Sequence, residues 1–264
     1  MTSLKTHIEN PWASIRKYTQ ARIAIGRCGS SIPTKELLDF KLCHAKAIDA
    51  VSTMLDSSQM AQKIESMFGE KVHLLHSLAN DRAEYLRRPD LGRKLSDESI
   101  EKLSALNVSP QADVALVIAD GLSSFAIEKN TVPFLEKFLP LLKEKGFSLA
   151  PITLAEQARV AIADEIGVTF GAKLSVILIG ERPGLKTPDS LGIYMTYRPE
   201  SGTTDERRNC ISNVRMEGLP YEIAAQKLIY LISEAFTRQL SGVELKDEQD
   251  TDALISASET ACIQ

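Results

Sequence analysis

Two almost uninterrupted apolar runs, Val-Ala-Leu-Val-Ile-Ala at 114–119 and Leu-Ser-Val-Ile-Leu-Ile at 174–179, restrict the fold of this chain more than anything else in it. A strand with one face in water alternates apolar and polar residues. A strand without that alternation must be covered on both faces, as inside a sheet layered by helices. Each run stops at a glycine-containing turn, Asp120-Gly121 and Gly180. Between and after them the spacing predicts a helix opened by Pro133 and closed near Lys145-Gly146, a strand over 147–153 whose end Pro151 leaves open, and a helix over 160–170 stopped by Gly171. Strands over 191–197 and 210–214 and a long amphipathic helix over 220–240 complete the pattern. Strands alternating with helices imply right-handed crossovers. The predicted class is α/β, a Rossmann-like, mostly parallel sheet with helices on both faces, preceded by a helical N-terminal region.

That N-terminal region is residues 1–109, with 16 basic and 13 acidic residues. Leu37, Leu38, Phe40, Leu42 and Ala45 recur at helical intervals behind Thr34, a candidate N-cap, so one face of that helix is expected to be buried. Further helices are expected over 45–54 and over 97–106, the latter capped by Ser96. His73 and His76, three apart, are read as helix surface, and with His7 and His44 they fall away from the strand ends. The stretch 85–94, broken by Pro89 and Gly92, reads as a basic loop. Residues 110–242 form the α/β ligand-binding domain, and 243–264, with one basic and six acidic residues, an acidic and solvated tail.

A chain of 264 residues with 44% apolar and 25% charged side chains buries a real core, which excludes fibrous and disordered classes. Its net charge of −4 gives no concentrated basic field, so no nucleic-acid partner is expected. No apolar stretch reaches the roughly 18 residues of a membrane span, and the start lacks the apolar segment of a secretory signal. The expected location is cytoplasmic, or a compartment made inside the cytoplasm. Cys28, Cys43, Cys210 and Cys262 are far apart without a CxxC pair, so free thiols and no metal site are expected.

Ligands of open parallel sheets bind beyond the carboxyl ends of the strands. Three loops there invite attention. Asp120-Gly121-Leu122-Ser123-Ser124 suits either a plain strand-ending turn or a ligand loop. In Gly180-Glu181-Arg182-Pro183-Gly184, two glycines and a proline hold the backbone close while a carboxylate and a guanidinium project; a surface turn is the other reading. Around Arg207–Asn213, Cys210 is either a buried small hydrophobe or a contact. The patterns GxGxxG, GxxxxGK[ST], HExxH and GxSxG are absent. This edge offers groups that hold a ligand but no nucleophile or general base, so no catalytic residue is assigned. The chain reads as the binding member of a catalytic assembly.

Taken in order, Arg27-Cys28-Gly29 with Pro33-Thr34-Lys35-Glu36-Leu37-Leu38, then Arg88-Pro89-Asp90-Leu91-Gly92-Arg93, Ile118-Ala119-Asp120-Gly121-Leu122-Ser123, Gly180-Glu181-Arg182-Pro183-Gly184-Leu185 and Cys210-Ile211-Ser212-Asn213 resemble the small (light) subunit family of ethanolamine ammonia-lyase. The resemblance implies an adenosylcobalamin-dependent lyase that converts ethanolamine to acetaldehyde and ammonia by radical chemistry. It implies a large subunit, a TIM barrel holding substrate, as partner, with six large and six small subunits in the assembly. The small subunit then covers the cobalamin, the helical region 1–109 packs on the large subunit, and this chain alone has no turnover. Carried over, the cobalamin contacts fall on Val160, Glu181 and Cys210, with Arg159, Arg182 and Asn213 beside them as amide or phosphate partners. No Asp-x-His-x-x-Gly pattern is present, so the cofactor is expected to keep its own lower base. Location in a bacterial microcompartment is implied as an alternative to the open cytoplasm. Two other readings stand beside this one: a self-contained Rossmann-like enzyme acting on a nucleotide or phosphorylated metabolite, and a scaffold without ligand.

Overall fold

A computed structural model describes residues 11–19, 21–106 and 111–249. The expectations for His7, for Cys262 and for the end of the acidic tail lie outside the described residues. Six strands form one sheet: β1 (Val72–His76), β2 (Val114–Ala119), β3 (Ile152–Glu156), β4 (Leu174–Gly180), β5 (Leu191–Tyr197) and β6 (Arg208–Val214), in the order β1-β3-β2-β4-β5-β6. The first four in that order run parallel, while β5 is antiparallel to both β4 and β6. The mostly parallel α/β class stands.

Every residue of β2 and β4 is buried, as their unbroken apolar runs require. Val114, Leu116 and Ile118 face a core built with α2 (Ser57–Phe68), α5 (Ser124–Glu144) and α7 (Tyr221–Arg238). Ala115, Val117 and Ala119 face a second core with α4 (Asp97–Ser104) and α6 (Ile162–Thr169). Smaller side chains on that second face bring α6 close to the sheet.

Several boundaries differ from the sequence reading, each for a physical reason. Strand β1 lies inside the region read as helical. His73 and His76 sit on this edge strand rather than on a helix, and His76 stands at a strand's carboxyl end, its Nε2 4.0 Å from Glu156 Oε2. A spacing of three fits a helix, but in-register pairing of all five residues with β3 decides the matter. Strand β3 starts after Pro151 and runs to Glu156 rather than spanning 147–153, because proline lacks the N–H a ladder needs. Helix α5 starts at Ser124, capped by Ser123 Oγ accepting from Ala126 N at 3.2 Å, and carries Pro133 and Pro140 within it. Each internal proline costs about 3 kcal/mol. Complete burial of Ile127, Phe134, Leu135 and Phe138 offsets that, at about 1.5–3 kcal/mol per side chain.

The segment 34–54 is one helix, α1 (Thr34–Ser52), preceded by Pro33 with Thr34 as its first residue. Of its side chains only Ala50 is buried; Leu37, Leu38, Phe40, Leu42 and Ile48 are exposed, so the expected burial of that face does not occur among the described residues. The described start of the acidic tail is packed rather than solvated, with Leu245 buried and Lys227 paired with Asp247 at 2.5 Å. No helix among the described residues is long and apolar enough to cross a membrane.

The end of β4 packs tightly on the turn that follows β2. A Cβ on Gly180 would lie 2.1 Å from Ser123 O and 2.5 Å from Asp120 O, and Leu122 N donates to Gly180 O at 2.8 Å. Gly180→Ala should therefore destabilise the chain by about 1–3 kcal/mol through overpacking. Urea denaturation checks this; an unchanged midpoint would count against it.

Candidate functional site

Helix α6 packs on β2 and β4, and the same face of β5 and β6 carries Gly192, Tyr194, Thr196 and Cys210 in place of large apolar residues. A groove opens there in two lobes. One, of ≈ 390 Å³, is bounded by Tyr85, Leu122, Val160, Glu181, Arg182 and Tyr194. The other, of ≈ 450 Å³, is bounded by Pro89, Arg93, Ala161 and Asp205. Arg159, Val160 and Tyr194 line both.

Of the three residues singled out in the sequence, Val160 and Glu181 line this groove, and Cys210 stands beside it on the strand next to Tyr194. Val160 lies on the turn between β3 and α6 and is half-buried against both lobes. Glu181 follows β4. Its Oε2 accepts from Ser190 Oγ and, at 3.2 Å, from Asn213 N, so one carboxylate oxygen is tied to the protein and Oε1 is left for a ligand. Cys210 pairs in register with Tyr194 and is exposed rather than a buried hydrophobe. Desolvation by the surrounding wall raises its thiol above the ordinary value; the Tyr194 hydroxyl opposes that and Glu181 reinforces it. The thiol is thus a small neutral contact and not an activated nucleophile.

Beneath the groove, Asp120 proves to be part of a buried clamp. Arg82, on α3 (Arg82–Arg87), donates through Nη1 to Asp120 Oδ2 at 3.2 Å and to Gly121 O at 2.8 Å, and through Nε to Val51 O at 2.8 Å. Asp120 Oδ1 accepts from Ala158 N at 3.1 Å. Gln157, at φ 53, turns the chain out of β3 in the left-handed region, and Ser77 Oγ holds its carbonyl at 2.7 Å. Tyr85, fully buried and helical rather than in a loop, donates its hydroxyl to Ala158 O at 2.9 Å. Gly92 admits that ring, since a Cβ there would lie 2.8 Å from Tyr85 Cε2. The segment 157–160, which carries Arg159 and Val160, is held from below at successive residues. The loop 181–190 is pinned to α5 by Asn130 Nδ2 on Asp189 O at 2.7 Å and by Ser123 Oγ on Pro188 O at 2.7 Å.

Sequence reasoning missed Arg82, Tyr85 and Tyr194. Only Tyr194 left a signal: along β5, Gly192, Tyr194 and Thr196 alternate with Leu191, Ile193, Met195 and Tyr197 of the opposite core. Among the described residues no group of three metal-ligating side chains exists.

A carboxylate, a guanidinium and a tyrosine face at the carboxyl edge of the sheet, with no activated nucleophile beside them among the described residues, mark an α/β protein with a candidate ligand groove. Residues 9–246 match the family described as ethanolamine ammonia-lyase light chain. The chain is 54% identical over 254 residues to the ethanolamine ammonia-lyase small subunit of Pseudomonas fluorescens (strain SBW25), covering 94% of this chain and 90% of that protein. It is 53% identical over 248 residues to that of Pseudomonas aeruginosa (strain LESB58), covering 93% and 90%, and 50% identical over 250 residues to that of Pseudomonas putida (strain W619), covering 94% and 92%. The chain belongs to the ethanolamine ammonia-lyase light chain family, and is thereby a subunit of a lyase.

The clamp has a pH signature. Burial pushes Asp120 from 3.8 up to about 6, with Arg82 and the N–H groups of Ala158, Gln157 and Gly121 pulling the other way. A folded-state value above the unfolded one means that this carboxyl favours the fold most when protonated. That contribution is lost as the pH climbs through about 6. Removing the cation strands a buried carboxylate. Arg82→Met should cost about 3–5 kcal/mol at pH 8, with the deficit shrinking as the pH falls from 8 toward 6, because the carboxyl, freed of the cation that lowers it, then takes up a proton before the unsubstituted one does. Chemical denaturation across pH 5–8 is the check, and a pH-independent deficit would argue against the clamp.

Proposed function

We propose that this chain covers and binds the cobalamin of an adenosylcobalamin-dependent ethanolamine ammonia-lyase, which converts ethanolamine to acetaldehyde and ammonia. The observation that carries the reading is that Val160 and Glu181 line one two-lobed groove, with Cys210 beside its Tyr194 wall. The residues suit the cofactor. Its corrin rim bears carboxamides, and Glu181 Oε1 is an acceptor free to take an amide N–H; Arg159 Nε is a buried donor without a partner, ready for an oxygen. Tyr194 offers a flat apolar face, and Val160 a small apolar one, against a macrocycle. When bound, the cofactor supplies radical chemistry, which has to be shielded from water. This chain's residues contribute position and exclusion of solvent. Each lobe holds only part of so large a ligand, which supports a site completed by a second polypeptide.

That polypeptide, in this reading, is the large subunit, a TIM barrel holding the substrate, in an assembly of six large and six small chains. Region 1–109 is the part that packs on it, and the exposed Leu37, Leu38, Phe40, Leu42 and Ile48 of α1 support that role. Residues 110–242 form the cobalamin-binding domain. The complex works in the cytoplasm or inside a bacterial microcompartment.

Co-expression with the large subunit should yield ammonia release that needs ethanolamine, adenosylcobalamin and this chain; turnover unaffected by leaving the chain out would overturn the assignment. Within the complex, Glu181→Ala should raise the cofactor Kd by about tenfold to a hundredfold, the worth of one charged hydrogen bond, with little effect on the KM for ethanolamine. The opposite ranking would move Glu181 out of the cofactor site.

A further inference from the structure

Behind the second lobe lies another buried ion pair, between Arg208 at the start of β6 and Asp164 in the first turn of α6, each side chain only 2% exposed. Arg208 Nη1 donates to Asp164 Oδ1 at 2.8 Å and to Thr196 Oγ1 at 3.0 Å. Nη2 reaches Asp164 Oδ2 and Thr203 O, each at 2.7 Å, and Nε donates to Asp205 Oδ1 at 3.2 Å. A guanidinium has five N–H donors, and here every one has an acceptor. Arg82 is less completely paired, since its buried Nη2 has no hydrogen-bond partner among the described residues.

These acceptors stand on three separate segments, and each segment lines the second lobe. Asp164 follows Ala161 by one helical turn, Thr196 follows Tyr194 on the same face of β5, and Asp205 borders the lobe itself. Arg208 does not line either lobe; it holds the lining from behind. Net stability is a poor reason for burying such a pair. Desolvation of two charges cancels most of their attraction, and apolar residues of like volume would hold α6 on the sheet as well. The rest of this core does so with Ala115, Val117, Ile166 and Ile177, through contacts that have no preferred direction. Hydrogen bonds from a planar cation instead fix both spacing and angle.

We infer that Arg208 is a positioning residue for the groove: it sets the turn carrying Val160 and Ala161, the strand carrying Tyr194 and the loop carrying Asp205 at fixed spacing before any ligand arrives. The inference rests on the cobalamin reading and adds how this chain presents its half of the site. A wall ordered during folding does not have to be ordered again on binding, which strengthens the binding of a large rigid ligand. Lysine would keep the charge at 208 but, as a point charge on one flexible stem, could not span Asp164, Thr203 and Asp205 together.

The test uses the complete complex of this chain with its large subunit and hydroxocobalamin as the probe. Equilibrium dialysis reads the number of binding sites and the Kd separately, and urea denaturation of the same proteins reads stability. Arg208→Lys should keep the number of sites and raise the Kd by about tenfold, the worth of one well-placed contact. Combining Arg208→Met with Asp164→Leu removes both charges at once and should return the urea midpoint close to that of the unsubstituted chain, while the Kd stays raised. Fewer sites at an unchanged Kd would make the pair a prop of the fold alone and overturn the inference. Recovery of the Kd in the double variant, or an unaltered Kd in Arg208→Lys, would overturn it as well. Failure of the unsubstituted complex to bind the corrinoid would instead remove the cobalamin reading itself.

Discussion

Arg82 and Asp120, buried side by side, tie α3 and the end of α1 to the carboxyl ends of β2 and β3. The wall of the groove that carries Arg159 and Val160 hangs on this contact. The carboxylate orders the turn at Gln157 and Ala158, the turn presents Arg159 and Val160, and Tyr85, next along α3, closes the space beneath them. Two charges withdrawn from water are costly, so such a pair survives only when its remaining donors and acceptors are largely satisfied. Here backbone groups of Val51, Gly121 and Ala158 do most of that. A polar hub of this kind contributes definition of geometry more than net stability, which suits a surface that must fit a large rigid ligand.

The reversal of direction at β5 is the second determinant. Had the sheet continued with parallel strands and crossover helices, another helix would have covered the face that carries Tyr194 and Cys210. An antiparallel β5–β6 pair leaves that face open beside α6 and brings Asn213 back to the carboxyl edge, where its N–H fixes Glu181. One change in strand direction thus opens the floor of the groove and anchors its acidic wall.

The outer surface of α1 follows a different logic. A helix with five large apolar side chains in water is unusual for a chain that folds only for itself. The two features together, an open groove and an apolar helix face, describe a molecule whose fold is finished but whose surface is not.

The buried strands were legible in the sequence because a strand covered on both faces has no polar alternation to hide behind: 114–119 and 174–179 could hardly be anything else. The family was legible too, through short motifs whose order is preserved. Tertiary structure alone decided the rest. The sheet edge captured Val72–His76, burial carried Pro133 and Pro140 inside a helix, and α1 kept an apolar face that no element among the described residues covers. Most of all, it brought Arg82 to Asp120 and stacked Arg159 on Tyr85, contacts between residues 38 and 74 positions apart. Local patterning reports which side chains want burial; the partner a buried charge finds is set by where distant segments meet, and no periodicity encodes that.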